Sequence, residues 1–114
     1  MAVPSEVQVE FRGGSIAVQS AGSGRDLVVL HDDIGSPGWL PFYDALAAGC
    51  RVTVPTLPGW GSSTRPEWAR DARDIAILTR QLLTRLNLGP VSVVGLGFGG
   101  WLAAEIATMC DSMF

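Results

Sequence analysis

The sequence contains no lysine and one histidine, His31, and its eight Lys/Arg positions, all arginine, face 11 acidic residues for a net charge of −3. Without a cationic excess there is no electrostatic footprint for nucleic acid, and no nucleic-acid partner is expected. No apolar run approaches the ~20 residues of a membrane-spanning helix, so no membrane partner is expected either. The opening Met1-Ala2-Val3-Pro4-Ser5-Glu6 has neither a cationic segment nor an apolar core, so no secretory signal is expected. The only cysteines, Cys50 and Cys110, are far apart and lack metal-ligand spacing. Buried free thiols, no metal, no cofactor and a cytoplasmic location are the expectations that follow.

What is present is core. Hydrophobic residues make up 47% of the 114 positions and charged residues 17%, as in one globular domain. Val7, Val9 and Phe11 alternate with Gln8 and Glu10, Arg12-Gly13-Gly14-Ser15 signals a turn, and Ile16 and Val18 alternate again. This predicts a leading hairpin. Leu27-Val28-Val29-Leu30 is a continuous apolar run of the kind a central parallel strand needs. Trp39 to Ala48 predicts a short helix with Trp39, Phe42, Leu46 and Tyr43 on its apolar side, and Arg51 to Val54 the next strand. From Glu67 to Asn87, Ile75, Leu78, Leu82, Leu83 and Leu86 recur at helical spacing, and Gly89-Pro90 is the expected stop. Alternating strands and helices behind a hairpin predict an α/β, doubly wound and mostly parallel sheet. Its ligand rim would gather the loops after each strand: His31 to Gly35, Pro55 to Thr64 and Gly95 to Gly99.

The last strand, Val91 to Val94, leads through Gly95-Leu96-Gly97-Phe98-Gly99-Gly100 into a helix starting at Phe98. Two motifs fit this turn. Gly95, Gly97 and Gly100 satisfy G-x-G-x-x-G, whose helix N-terminus would hold a dinucleotide pyrophosphate. Gly95, Gly97 and Gly99 satisfy the frame of a nucleophile elbow, G-x-S-x-G, with glycine in the serine position. A dinucleotide fingerprint should open the domain and be followed ~20 residues later by an acid ending a second strand. Here ordered α/β pattern precedes it, Asp111 falls in or just past a helix, and no basic residue is expected near the Gly95 turn to meet phosphate. The elbow is the favoured alternative.

Three loops at successive strand ends together resemble the α/β-hydrolase family across nearly the whole chain. Leu30-His31-Asp32-Asp33-Ile34-Gly35 stands where that family has its His-Gly oxyanion loop. Leu57-Pro58-Gly59-Trp60-Gly61-Ser62-Ser63 is similar to its Pro-Gly-x-Gly-x-Ser loop, and Gly95 to Trp101 to its Gly-x-Ser-x-Gly-Gly elbow. The resemblance implies cleavage of esters, carbon–carbon bonds or related substrates. It also implies an acid and a base beyond Phe114, so the chain is expected to be an amino-terminal portion, truncated after the elbow helix.

Serine hydrolysis needs a hydroxyl, an imidazole and a carboxylate. Gly97, at the nucleophile position, has no hydroxyl. His31, the other candidate catalytic residue, lies in the oxyanion loop, where the leading expectation is a hydrogen bond to loop backbone and catalysis the alternative. Asp32 and Asp33 oppose the negative charge that such a loop serves; with Phe98 they make up the oxyanion side of the site. Trp39, Trp60 and Ser62 are expected at the pocket rim, and Ser62 and Ser63 to satisfy turn backbone. The leading expectation is a non-catalytic relative, a pseudoenzyme binding a small apolar ligand. The alternatives are a hydrolase completed by another nucleophile or an activated water, a dinucleotide module, and an inactive product. Val91 to Val94 at an open sheet edge would favour self-association or a complementing fragment.

Overall fold

The structure, a computed structural model, describes residues 4–36, 38–88, 90–109 and 114. Gly89 and Cys110 to Met113 lie outside them, and with them the expectations for the Gly89 stop, the Cys110 thiol and Asp111. Strands β1 (Ser5–Phe11) and β2 (Gly14–Ala21) form the expected hairpin, turning at Gly13 with φ +102°. Strands β3 (Arg25–Leu30), β4 (Cys50–Pro55) and β5 (Ser92–Gly95) complete a five-stranded sheet in the order β1-β2-β4-β3-β5. The pairs β3–β4 and β3–β5 are parallel, while β2 joins β4 antiparallel. At its end of the sheet β5 pairs with β3 alone among the described residues.

The apolar run in β3 explains why it sits inside the sheet, between β4 and β5. Val28 and Leu30 pack with Leu57, Leu83, Leu102 and Ile106 on one face. Leu27 and Val29 pack with Tyr43, Val52 and Val54 on the other. Burying each such side chain contributes about 1.5–3 kcal/mol, and period-2 alternation serves both faces at once. Helices α2 (Ala72–Arg85) and α3 (Phe98–Met109) cover the first face and α1 (Pro41–Ala47) the second, giving three layers. In the hairpin, Val9 and Phe11 meet Ile16, Val18, Leu78 and Leu82, whereas Val7 is exposed.

Local chemistry moves several boundaries. Helix α1 starts at Pro41, not Trp39, since proline's fixed φ suits a first helical position. Its buried ring is Tyr43, 1% exposed, and Phe42 is 44% exposed, correcting the expected apolar side. Helix α2 starts at Ala72, not Glu67, because Asp71 caps it: the Asp71 carboxylate accepts from the Asp74 N–H at 2.9 Å, and Asp74 accepts from the Arg70 N–H at 3.0 Å. It ends before Gly89. Asn87 takes φ +57°, its N–H reaches the Thr84 carbonyl at 3.0 Å and that of Leu88 reaches Leu83 at 3.4 Å, closing a Schellman end. No helix among the described residues is long and apolar enough to cross a membrane.

Two contacts fix the strand ends. His31, 1% exposed, accepts from the Leu57 N–H at 2.8 Å through Nε2, so Nδ1 carries the proton and donates to the Asp32 carbonyl at 2.7 Å. The imidazole thus ties the loop after β3 to the loop after β4. Second, Leu96 N–H donates to the Leu30 carbonyl at 3.0 Å, and a Cβ at Gly99 would collide with that same carbonyl. Only glycine admits α3 this close to β3.

Burial pushes the His31 pKa below its ordinary value, against smaller opposing effects of the Asp32 carbonyl and charge. The unfolded chain therefore takes up the proton first as pH falls. Stability from His31 is complete above about pH 6.5 and is lost as pH drops from there toward the folded-state pKa. Urea unfolding from pH 7.5 to 5.5 should show this decline. His31→Gln should be less stable at pH 7.5 by about 1–3 kcal/mol, with a shallower decline; identical pH slopes would contradict it. At the second contact, Gly99→Ala should cost more than about 2 kcal/mol through overpacking against rigid backbone. Gly100→Ala, whose Cβ meets nothing nearer than the Gly95 carbonyl at 3.3 Å, should stay within about 1 kcal/mol of wild type because alanine also favours helix. Thermal unfolding of both variants measures the difference.

Candidate functional site

The parallel strands β3, β4 and β5 point their carboxyl ends the same way, so their three loops meet at one rim. Besides the His31 clasp, Trp60 Nε1 donates to the Asp33 carbonyl at 2.8 Å. The loop after β4 is pinned from below by Ser63, whose hydroxyl accepts from the Ala17 N–H at 2.9 Å and donates to the Thr56 carbonyl at 2.5 Å. That is the turn-stabilising role expected of a serine here. Ser62, its neighbour, is exposed.

The turn after β5 is a strand–turn–helix elbow. Gly97 stands at its apex with φ +54°, a conformation that strains any residue with a side chain. The helix starts at once: the Gly99 N–H reaches the Leu96 carbonyl at 2.9 Å and the Gly100 N–H that of Gly97 at 2.9 Å. Gly95 and Gly100 touch, since a Cβ on Gly95 would overlap the Gly100 Cα. These glycines serve the close crossing of β5 and α3.

In front of Gly97 lies the Asp32 carboxylate. A Cβ at position 97 would collide with Asp32 Oδ1 and fall within 2.6 Å of its Cγ. Asp32 Oδ1 accepts from the Asp33 N–H at 2.6 Å. That N–H, followed by the Asp33 side chain, holds the Asp32 carboxyl below the usual carboxylate range; the Phe98 N–H and the His31 charge add to it and desolvation opposes it. The arginines that form ion pairs, Arg51 with Asp26 and Arg73 with Glu105, lie elsewhere. The sequence marked Asp32 as out of place in an oxyanion loop. Its seat against Gly97 depends on β3 and α3 converging, which no local pattern encodes.

His31 has no spare nitrogen for acid–base work, because both ring nitrogens are engaged with loop backbone. Aromatic rings wall the rim: Trp60 lies 5.3 Å from Phe98, Phe98 5.9 Å from Trp101, and His31 5.5 Å from Trp60 (ring centroids). Trp39 sits apart from this row. It packs edge-on against Tyr43 at 5.4 Å, on the α1 side of the sheet.

Beside Trp60 and Phe98 opens a groove of about 340 Å³, walled by Pro58, Ala69, Ala72 and Ile75. Arg65 and Arg70 also line it, which corrects the expectation that no cation approaches the elbow: the segment after β4 folds back beside α3. Arg65 is engaged, donating to the Ala69 carbonyl at 2.7 Å. Sequence gave no sign of either arginine in this setting. A further depression of about 480 Å³ between the hairpin and α2, lined by Phe11, Ile16 and Leu82 among others, contains none of the strand-end loops. No cluster of metal-ligating side chains occurs among the described residues.

Comparisons with known proteins agree with this architecture. A family model described as the alpha/beta hydrolase family matches residues 27–114. The soluble epoxide hydrolase of Corynebacterium sp. (strain C12) is 35% identical over 104 residues, covering 88% of this chain and 35% of that protein. A poly(3-hydroxyalkanoate) depolymerase of Ectopseudomonas oleovorans is 36% identical over 67 residues, 59% of this chain and 24% of that protein. Among solved structures, the epoxide hydrolase CorEH without ligand superposes with a TM-score of 0.86 at 30% identity, over 97% of this chain and 40% of that one. The thioesterase domain from the curacin biosynthetic pathway gives 0.87 at 26% identity, over 99% and 44%. The chain thus spans about a third of the length of the epoxide hydrolase relative and a quarter of the depolymerase. With its hairpin, its three strand-end loops and its glycine elbow in the family's order, the chain belongs to the alpha/beta hydrolase family.

Proposed function

We propose that this hydrolase-family rim binds a small apolar molecule and performs no nucleophilic chemistry at its elbow. One observation carries this reading: Gly97, at the apex where the fold presents a nucleophile, offers no hydroxyl, and a carboxylate stands in front of it. The single imidazole, His31, is occupied on both nitrogens and supplies no base. Activation of a serine-type nucleophile needs such a base within hydrogen-bond reach. The groove beside Trp60 and Phe98 supports binding of a compact ligand, since Pro58, Ala69, Ala72 and Ile75 give it apolar walls and Arg65, Arg70 and Asp71 supply the polar groups that such sites use for orientation. Relatives named for epoxide and polyester substrates are consistent with an uncharged ligand.

The purified protein should show no burst with a p-nitrophenyl ester. In the 114-residue chain Gly97→Ser should add none, because both nitrogens of His31 are engaged with loop backbone and the change forces a side chain into a φ of +54°. Stopped-flow absorbance with mass spectrometry reads both. A stoichiometric acyl adduct on any residue of the wild-type protein would overturn this proposal.

A further inference from the structure

The backbone N–H of the residue after the elbow position and an N–H from the loop after β3 are the groups that hydrolase folds aim at a developing oxyanion. In this chain those donors belong to Phe98 and to the loop that holds Asp33. An anion already occupies the place. Asp32 Oδ1 accepts from the Asp33 N–H at 2.6 Å, and the Asp32 carboxylate fills the space that a side chain at Gly97 would enter. The ordinary consequence of a carboxylate in such a loop, repulsion of negative charge, here comes with a geometric one: the space in front of Gly97 and the Asp33 donor are both taken.

We propose that Asp32 is a built-in occupant of the oxyanion hole, a contact that closes the hole to external carboxylates and oxyanions and makes glycine the residue that position 97 accommodates. Two features of the fold hold the carboxylate there. The preceding residue, His31, is buried and fixed by Leu57, so the chain leaves β3 in one direction. The Gly35 N–H then donates to the Asp32 carbonyl at 3.0 Å, closing a turn that aims the side chain back across the rim. The lowered Asp32 pKa agrees, since N–H donors to a carboxylate favour its charged form. This inference shares with the reading above the carboxylate in front of Gly97, and its tests read the hole and not ligand binding in the groove.

The contact has an energetic signature separate from any activity. Gly97→Ala carries a backbone cost from its φ and a collision with the Asp32 carboxylate. In an Asp32→Gly background the collision is gone and the backbone cost remains. A double-mutant cycle read by thermal unfolding should therefore show Gly97→Ala lowering Tm by at least about 3 °C less in the Asp32→Gly protein than in the wild-type background. Equal losses in both backgrounds would overturn the proposal.

A second measurement probes the donors. In ¹⁵N-resolved spectra, acetate should leave the Asp33 and Phe98 amides of the wild-type protein unmoved and shift both saturably in Asp32→Ala. Isosteric Asp32→Asn, which keeps the seat filled without charge, should respond less than Asp32→Ala. Shifts confined to Arg65 and Arg70 would mean an adventitious ion only and count against an opened hole. Wild-type amides that respond as strongly as those of Asp32→Ala would show that the hole was never closed. If Asp32→Ala fails to fold, the Asp32→Asn spectrum decides: Asp33 and Phe98 amides unchanged from wild type would contradict the contact.

Discussion

The Leu30 carbonyl is the point on which this molecule turns. It ends β3, an interior strand, accepts the Leu96 N–H at 3.0 Å, and lies so close to α3 that position 99 admits no side chain. A buried carbonyl must be paired, and pairing it with the turn after β5 draws the elbow over the end of β3. Everything at the rim follows from that approach. Gly97 is lifted to the apex with positive φ, Phe98 is turned toward Trp60, and the residues just after Leu30 are left facing the elbow. The packing beneath keeps the approach rigid, because Val28, Leu30, Leu102 and Ile106 share one cluster.

Much of this was legible in the sequence for a physical reason. Residues buried on both faces must be apolar without interruption, so Leu27 to Leu30 announced a central strand. Half-buried strands must alternate, so Val9, Phe11, Ile16 and Val18 announced the hairpin. The loops were legible as well, because turns at strand ends need glycine and proline, and the His31 role in tying loop backbone could be read from a lone histidine beside a buried strand. The boundaries were less so. Nothing in apolar periodicity separates Glu67 from Ala72; the start of α2 is set by the Asp71 carboxylate, which accepts from the Asp74 N–H, and by the Asp74 carboxylate, which accepts from the Arg70 N–H. Likewise Phe42 and Tyr43 are adjacent rings, and only the position of Pro41 decides which one turns inward.

The site was legible in its parts and illegible in its assembly. Gly97 in a serine position and Asp32 in an anion-stabilising loop each looked anomalous alone, 65 positions apart by their residue numbers. The structure makes them one feature, since the missing side chain and the misplaced carboxylate share a volume. Arg65 and Arg70 reached the groove beside Phe98 for the same kind of reason: a loop of irregular path carried them there. Tertiary convergence of this kind leaves no periodic trace. A glycine with positive φ opposite an acidic strand end is the pairing to look for.

The rim depends most on the Asp32 carboxylate being seated on the Asp33 N–H in front of Gly97. Carbon-detected titration of the Asp32 carboxyl, followed together with the Phe98 amide, measures that directly. A midpoint below the ordinary aspartate value of about 3.9, with the Phe98 amide shifting in step, is the predicted result. An ordinary midpoint and a Phe98 amide indifferent to it would contradict the account.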